Sequence, residues 1–168
     1  VKPENHYEVF GVNDRRQLSE VEITMRKLIR DKWMMEGVTI TDPSSVYIDA
    51  NSIIGKDTII YPNTHVLGNS TVGRDCELGP NSIIKNSSIG DSTSISHLSY
   101  IGDSKVGKNV NIGAGTITCN YDGKKKNKTI IKSNVFIGSN TSLIAPLTIG
   151  PNSKIGAGSV ITKNVPAN

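Results

Sequence analysis

From Ile48 onward an aliphatic residue returns at every sixth position. The ladder runs Ile48, Ile54, Ile60, Val66, Val72 and Leu78. It continues as Ile89, Ile95, Ile101, Val106 and Ile112, and resumes at Ile131, Ile137, Leu143, Ile149, Ile155 and Ile161. Four positions after most rungs stands a small or β-branched residue, as at Ser52, Thr58, Thr64, Ser70, Cys76, Thr93, Ser99, Thr116, Thr141, Ser153 and Ser159. This period belongs to neither a helix nor a plain strand. It predicts an all-β solenoid, a parallel β-helix of hexapeptide repeats. Each hexad supplies a short strand and a turn, three hexads close a triangular coil, and coils stack about 4.8 Å apart. The steps from Ile84 to Ile89 and from Ile101 to Val106 are one residue short, which predicts tightened corners rather than breaks. The ladder accounts for about six coils. Periodicity does not fix the hand of the coil, and the general rule for parallel crossovers points to right-handed.

Two segments depart from this rhythm. Residues 14–36, "DRRQLSEVEITMRKLIRDKWMME", carry a helical pattern, with a capping box at Asp14 and Gln17. Leu18, Val21, Met25, Leu28 and Lys32 fall near one stripe, with Ile29 and Trp33 beside it, and Gly37 is a natural residue just past the end. The pattern predicts a helical arm over 14–37 packed on neighbouring structure. The second departure is "NIGAGTITCNYDGKKKNKTII", residues 111–131. A solenoid core requires only that Ile112 and Ile131 return to phase, so residues 118–129 are expected to leave one corner as a loop.

Composition supports this picture. With two Phe, one Trp and five Tyr among 168 residues, the core must come from stacked aliphatics, and Cys76 falls at a small inward position. The net charge of +4 is a mild bias. Without aromatic–basic interleaving or a known motif it does not argue for nucleic acid. Cys76 and Cys119 form no CxxC and imply no disulfide framework. No apolar run of about 18 residues suggests membrane insertion, and no signal peptide is visible, so the expectation is a cytoplasmic protein. A carbonic anhydrase on this fold would need three zinc histidines at subunit interfaces. The chain has His6, His65 and His97, and His6 lies outside the ladder.

More specific text is embedded in the ladder. "HLSYIGD" (97–103), "NVNIGAGTITCNYDGKKKNKT" (109–129), "FIGSNTSLIAPLTIG" and "KIGAGSVITKNVP" resemble the acetyltransferase domain of the bacterial bifunctional N-acetylglucosamine-1-phosphate uridyltransferase/glucosamine-1-phosphate acetyltransferase family. "VFGVNDRRQLSEVE" resembles that family's junction between a nucleotidyltransferase domain and a helical arm. The resemblance implies a remnant of the first domain over 1–13, a linker helix over 14–37 and a left-handed β-helix over 38–168. It also implies a homotrimer and acetyl transfer from acetyl-CoA to the amine of glucosamine 1-phosphate, feeding UDP-N-acetylglucosamine synthesis.

The chemistry asks for a base to deprotonate the amine, a donor for the tetrahedral oxyanion, and positive charge for the phosphates. By the resemblance, His97 is the base; a free imidazole titrates near pH 6.5, about right for accepting a proton at neutral pH. Tyr100 and Asn111 match sugar-phosphate contacts. Lys85, in "IIKNSSIG", matches the family's phosphate-binding lysine or a residue of an earlier coil. Ala114, Asn120, Tyr121, Ser139 and Ala157 match the acetyl-CoA site, Ala114 through its backbone N–H, and Lys126 is placed for a CoA phosphate. Asn13 matches an asparagine contacting Mg2+ and nucleotide in the first domain, whose other parts are not in this sequence. Uridylyl transfer is therefore not expected of it.

The chain also lacks the family's "GPFAxLRPG" segment with its substrate-binding arginine, about two coils, and stops before a C-terminal segment that helps bind CoA. The alternative expectation is a trimeric assembly fragment with impaired catalysis. Coils contact only their neighbours, so loss of whole coils keeps the phase and still permits folding.

Overall fold

A computed structural model describes residues 11–168. His6 and residues 1–10 of the expected domain remnant lie outside the described residues. One helix, α1 (Arg15–Met35), is followed by 20 short strands. The strands form three walls, all parallel, in which each strand pairs with the third strand before and the third after it. The first wall comprises Thr39–Ile40, Ile59–Ile60, Glu77–Leu78, Ser94–Ile95, Asn111–Ile112, Phe136–Ile137 and Lys154–Ile155. The second comprises Tyr47–Ile48, His65–Leu67, Ile83–Lys85, Tyr100–Gly102, Ile117–Cys119, Ser142–Ile144 and Val160–Ile161. The third comprises Ile53–Ile54, Thr71–Val72, Ser88–Ile89, Ser104–Val106, Thr129–Ile131 and Leu147–Ile149.

This is a parallel β-solenoid of about seven turns, one more than the ladder counted, because Thr39–Ile40 starts the first wall ahead of Ile48. Tyr47 pairs with His65, a coil of 18 residues. Ile84 pairs with Ile101, a coil of 17. The one-residue steps thus shorten a coil without breaking its register.

The rungs point inward and stack: Ile60, Leu78, Ile95, Ile112 and Ile137 are at most 1% exposed. The small residues between rungs solve a different problem. A strand of two residues leaves corner amides and carbonyls without ladder partners, and buried ones must be paired. Buried hydroxyls meet that need vertically. Ser82 Oγ accepts from Ser99 N (3.1 Å) and donates to Ser96 O (2.9 Å). Thr93 Oγ1 likewise accepts from Val110 N and donates to Gly107 O. Cys76 occupies this row, fully buried, and burial pushes its thiol pKa up.

Two sequence expectations are corrected here. First, the loop is shorter than 118–129. Thr118 and Thr129 are both fully buried within strands, so the segment outside the walls is 120–128. Thr118 stands at a rung, paired with Leu143 above, and its polarity hid it from the ladder. Its Oγ1 accepts from Gly102 N (2.7 Å), an amide that would otherwise be unpaired beside the loop.

Second, α1 does not bury the Leu18–Met25–Leu28 stripe, which is exposed. Only its C-terminal part packs, through Trp33 (5% exposed) with Ile29 and Met34. Arg30 Nη1 reaches Val46 O (3.2 Å). Arg26 lies 4.2 Å over the Tyr47 ring, which stacks on His65. At the N-terminus Asp14 accepts from Gln17 N, and Gln17 Oε1 accepts from Asn13 N, one residue earlier than in a standard capping box.

Thr118→Val conserves volume and adds apolar surface at a core rung, so packing alone would make it neutral. The orphaned Gly102 N–H reverses that. Chemical denaturation should show a loss of about 1–3 kcal/mol.

Candidate active site

The corner joining the first and second walls carries one residue of each coil two places after the rung. His97 follows Ile95, Ala114 follows Ile112, Ser139 follows Ile137 and Ala157 follows Ile155, and these rungs pair in succession. The four residues, 60 positions apart in sequence from first to last, form one column across four consecutive coils. Backbone bonds tie them vertically: Gly115 N donates to His97 O (3.0 Å), Asn140 N to Ala114 O (2.7 Å) and Gly158 N to Ser139 O (2.8 Å). The His97 side chain is exposed at this edge. One coil above it, the half-buried Ala114 keeps its own N–H free of any hydrogen bond among the described residues.

Tyr100 and Asn111 flank the column on different walls. Asn111 projects from the first wall between Ser94 and Phe136. Tyr100 projects from the second wall and lays its ring over Gly102, where an added Cβ would stand 2.5 Å from the Tyr100 hydroxyl. Gly102 pairs with Lys85, so the Tyr100 hydroxyl is directed along the outer face toward the lysine's column.

The loop group is elsewhere. It leaves from the other edge of the second wall, between Cys119 and Thr129, so Tyr121 and Lys126 are not at the His97 corner of their own chain. The loop is a small hairpin, with Tyr121 bridged to Lys126 and Asn127 N donating to Asn120 O (2.7 Å). The Asp122 carboxylate accepts from Lys125 N, Asn127 Nδ2 and Lys124 N, which draws its pKa down to about 2. Asn120, expected as a cosubstrate contact, is only 8% exposed and donates its amide to Asp103. Asn13 is exposed before α1, and no cluster of three or more metal-ligating side chains exists among the described residues.

One feature of the corner escaped the sequence reading. The next residue takes a positive φ in every coil after the first: Asn63, Asn81, Leu98, Gly115, Asn140 and Gly158. Asn and Gly tolerate that conformation, whereas leucine does not. Leu98 nevertheless holds φ +59°, 64% exposed, beside His97. The signal was present as a leucine in a row of Asn and Gly.

A family model, bacterial transferase hexapeptide (six repeats), matches residues 51–86 and 128–163. The bifunctional protein GlmU of Heliobacterium modesticaldum is 41% identical over 211 residues, covering 95% of this chain and 46% of that protein. GlmU of Thermosipho africanus is 46% identical, covering 96% of this chain and 47% of its own length.

The chain is a homologue of the bifunctional GlmU proteins.

It spans about half the length of these GlmU relatives. The alignment of 211 positions against a chain of 168 leaves more than two 18-residue coils' worth of GlmU positions without a counterpart. Among solved structures, the acetyltransferase domain of PglB from Neisseria gonorrhoeae, in complex with acetyl coenzyme A, matches with TM-score 0.57 at 15% identity, over 82% of this chain and 62% of that one. The hexapeptide-repeat acetyltransferase VCA0836 from Vibrio cholerae, complexed with acetyl coenzyme A, matches with TM-score 0.52 at 24% identity, over 57% of this chain and 62% of that one. At these identities the likeness is one of fold. No helix among the described residues is long and apolar enough to cross a membrane.

Leu98→Asn should relieve about 1 kcal/mol of backbone strain, read as a higher denaturation midpoint. For Asp122, the lowered pKa means the carboxylate's contribution is complete above its ordinary value of 3.8 and lost as pH falls toward 2. Amide exchange at Lys124 and Lys125 should therefore accelerate, relative to the walls, across that window.

Proposed function

We propose that this chain transfers an acetyl group from acetyl-CoA to the amine of glucosamine 1-phosphate. The observation that carries the reading is the column: an exposed imidazole one coil below an unengaged backbone N–H. In this reading the amine gives its proton to His97 and attacks the thioester carbon. The carbonyl oxygen takes up negative charge and accepts from Ala114 N–H. The C–S bond breaks as the intermediate collapses, and sulfur leaves with the electron pair, taking the proton from His97. No covalent enzyme intermediate is required. Tyr100, Asn111 and Lys85 hold the sugar phosphate. Ser139 and Ala157 continue the column along which acetyl-CoA extends, and Tyr121 and Lys126 close over it, the lysine meeting a phosphate. The GlmU relatives and the acetyl coenzyme A complexes on the same fold support this assignment.

The loop's position argues for more than one copy. Within one chain it sits across the second wall from His97, so a neighbouring subunit must bring Tyr121 and Lys126 to the column. The second wall presents Leu67, Ile83, Ile117 and Ile144 outward, an apolar face suited to self-association. A homotrimer in the cytoplasm is the proposed state. A second reading, an assembly module with impaired catalysis, is favoured by the GlmU positions without a counterpart.

Incubation with acetyl-CoA and glucosamine 1-phosphate, followed by free-thiol titration, separates the two. Release of CoA is expected from the first. His97→Ala should lower the rate by about a hundredfold or more with circular dichroism and subunit number unchanged. A variant that kept most of its rate would refute the base assignment, and no release from the parent chain at any substrate concentration would leave the assembly reading.

A further inference from the structure

We propose that Asp103 is a positioning residue that clamps the extruded loop to the solenoid and so sets where Tyr121 and Lys126 stand. The kinetic part of this proposal rests on the acetyl-transfer reading; the structural part does not.

The loop is exposed from Tyr121 to Lys126 and is held together by its own bonds. Asp122 ties Lys124, Lys125 and Asn127, and the Tyr121 hydroxyl donates to Gly123 O. These contacts give the hairpin its shape but not its orientation. Among the described residues, one side-chain hydrogen bond joins the loop to the walls: Asn120 Nδ2 to Asp103 Oδ2. It is placed at the base, where small changes in angle are carried to the tip. Asn120 is buried, its carbonyl accepts from Asn127 N, and Tyr121 next to it bridges to Lys126. Orientation at Asn120 therefore passes directly to both functional side chains.

Asp103 is itself fixed. It occupies the tight corner after Gly102 with φ +47°, and its N–H donates to Lys85 O (3.0 Å). Asp and Asn are the side-chain-bearing residues that best tolerate this conformation. Its carboxylate borders a notch of about 370 Å³ that is also lined by Lys105 and Lys128. It is the one acidic group in that lining, so it has the charge to accept strongly from an amide.

The test exploits four exposed trypsin sites, Lys124, Lys125, Lys126 and Lys128. Asn120→Asp sets two carboxylates against each other and should raise loop cleavage about tenfold. Adding Asp103→Asn recreates the bond with donor and acceptor exchanged, and should return cleavage to near the parent rate. Asp103→Asn keeps the corner conformation, so this rescue is not confounded by misfolding. In steady state Asn120→Asp should raise KM for acetyl-CoA several-fold with KM for the sugar phosphate unchanged, and the exchanged pair should restore it. Cleavage of Asn120→Asp at the parent rate, or failure of the exchanged pair to rescue it, overturns the clamp. If the parent chain transfers no acetyl group, the cleavage arm alone decides, and the two failures remain distinct.

Discussion

The structure depends on one requirement: every coil must find the hydrogen-bond partners of its backbone in the coil above and the coil below. Strands of two or three residues cannot satisfy themselves, and a triangular coil has three corners where the ladder lapses. The aliphatic rungs supply cohesion, but they would slide past one another without this pairing. The buried Ser and Thr hydroxyls close the corners by bonding vertically, Ser82 between Ser99 N and Ser96 O being one of many. Because the bonding is vertical, a residue's neighbours are its equivalents one coil away, and distant parts of the sequence are brought side by side without any tertiary folding.

That geometry builds the site. His97, Ala114, Ser139 and Ala157 become adjacent because each follows a rung by two places. It also explains why the loop can exist. The walls close behind it through Thr118 and Thr129, and the interruption costs the core little beyond one threonine at a rung. Cohesion lies within the chain, whereas the loop leaves from the edge of the second wall opposite the His97 corner. On the proposed acetyl-transfer reading, the fold is complete in one subunit and the site only across two.

The repeat was legible because its period is a demand of the backbone and recurs in every coil. Thr118 was not, since a polar residue in an aliphatic row reads as a break unless the orphaned Gly102 N–H is known. The face of α1 was misjudged for a different reason. A stripe of apolar residues gives the side a helix can bury, but not how much of its length meets a partner, and here only the Ile29–Trp33 end does. The column residues were identified by motif, and spacing alone places them on one corner. Asp103 and Leu98 were not identified, because a hydrogen bond across 17 positions and a strained φ have no periodic signature.

The column also behaves as a ruler. Its marks are fixed by the inter-strand spacing, so His97 to Ala157 spans about 14 Å along the axis, and no single substitution can stretch or compress it. A conventional pocket adjusts its length continuously as side chains are exchanged. Here the distance from His97 to Ala157 can change only in whole increments, by gaining or losing a coil. A fold of this kind holds the length of its corner column nearly invariant while the residues along it vary.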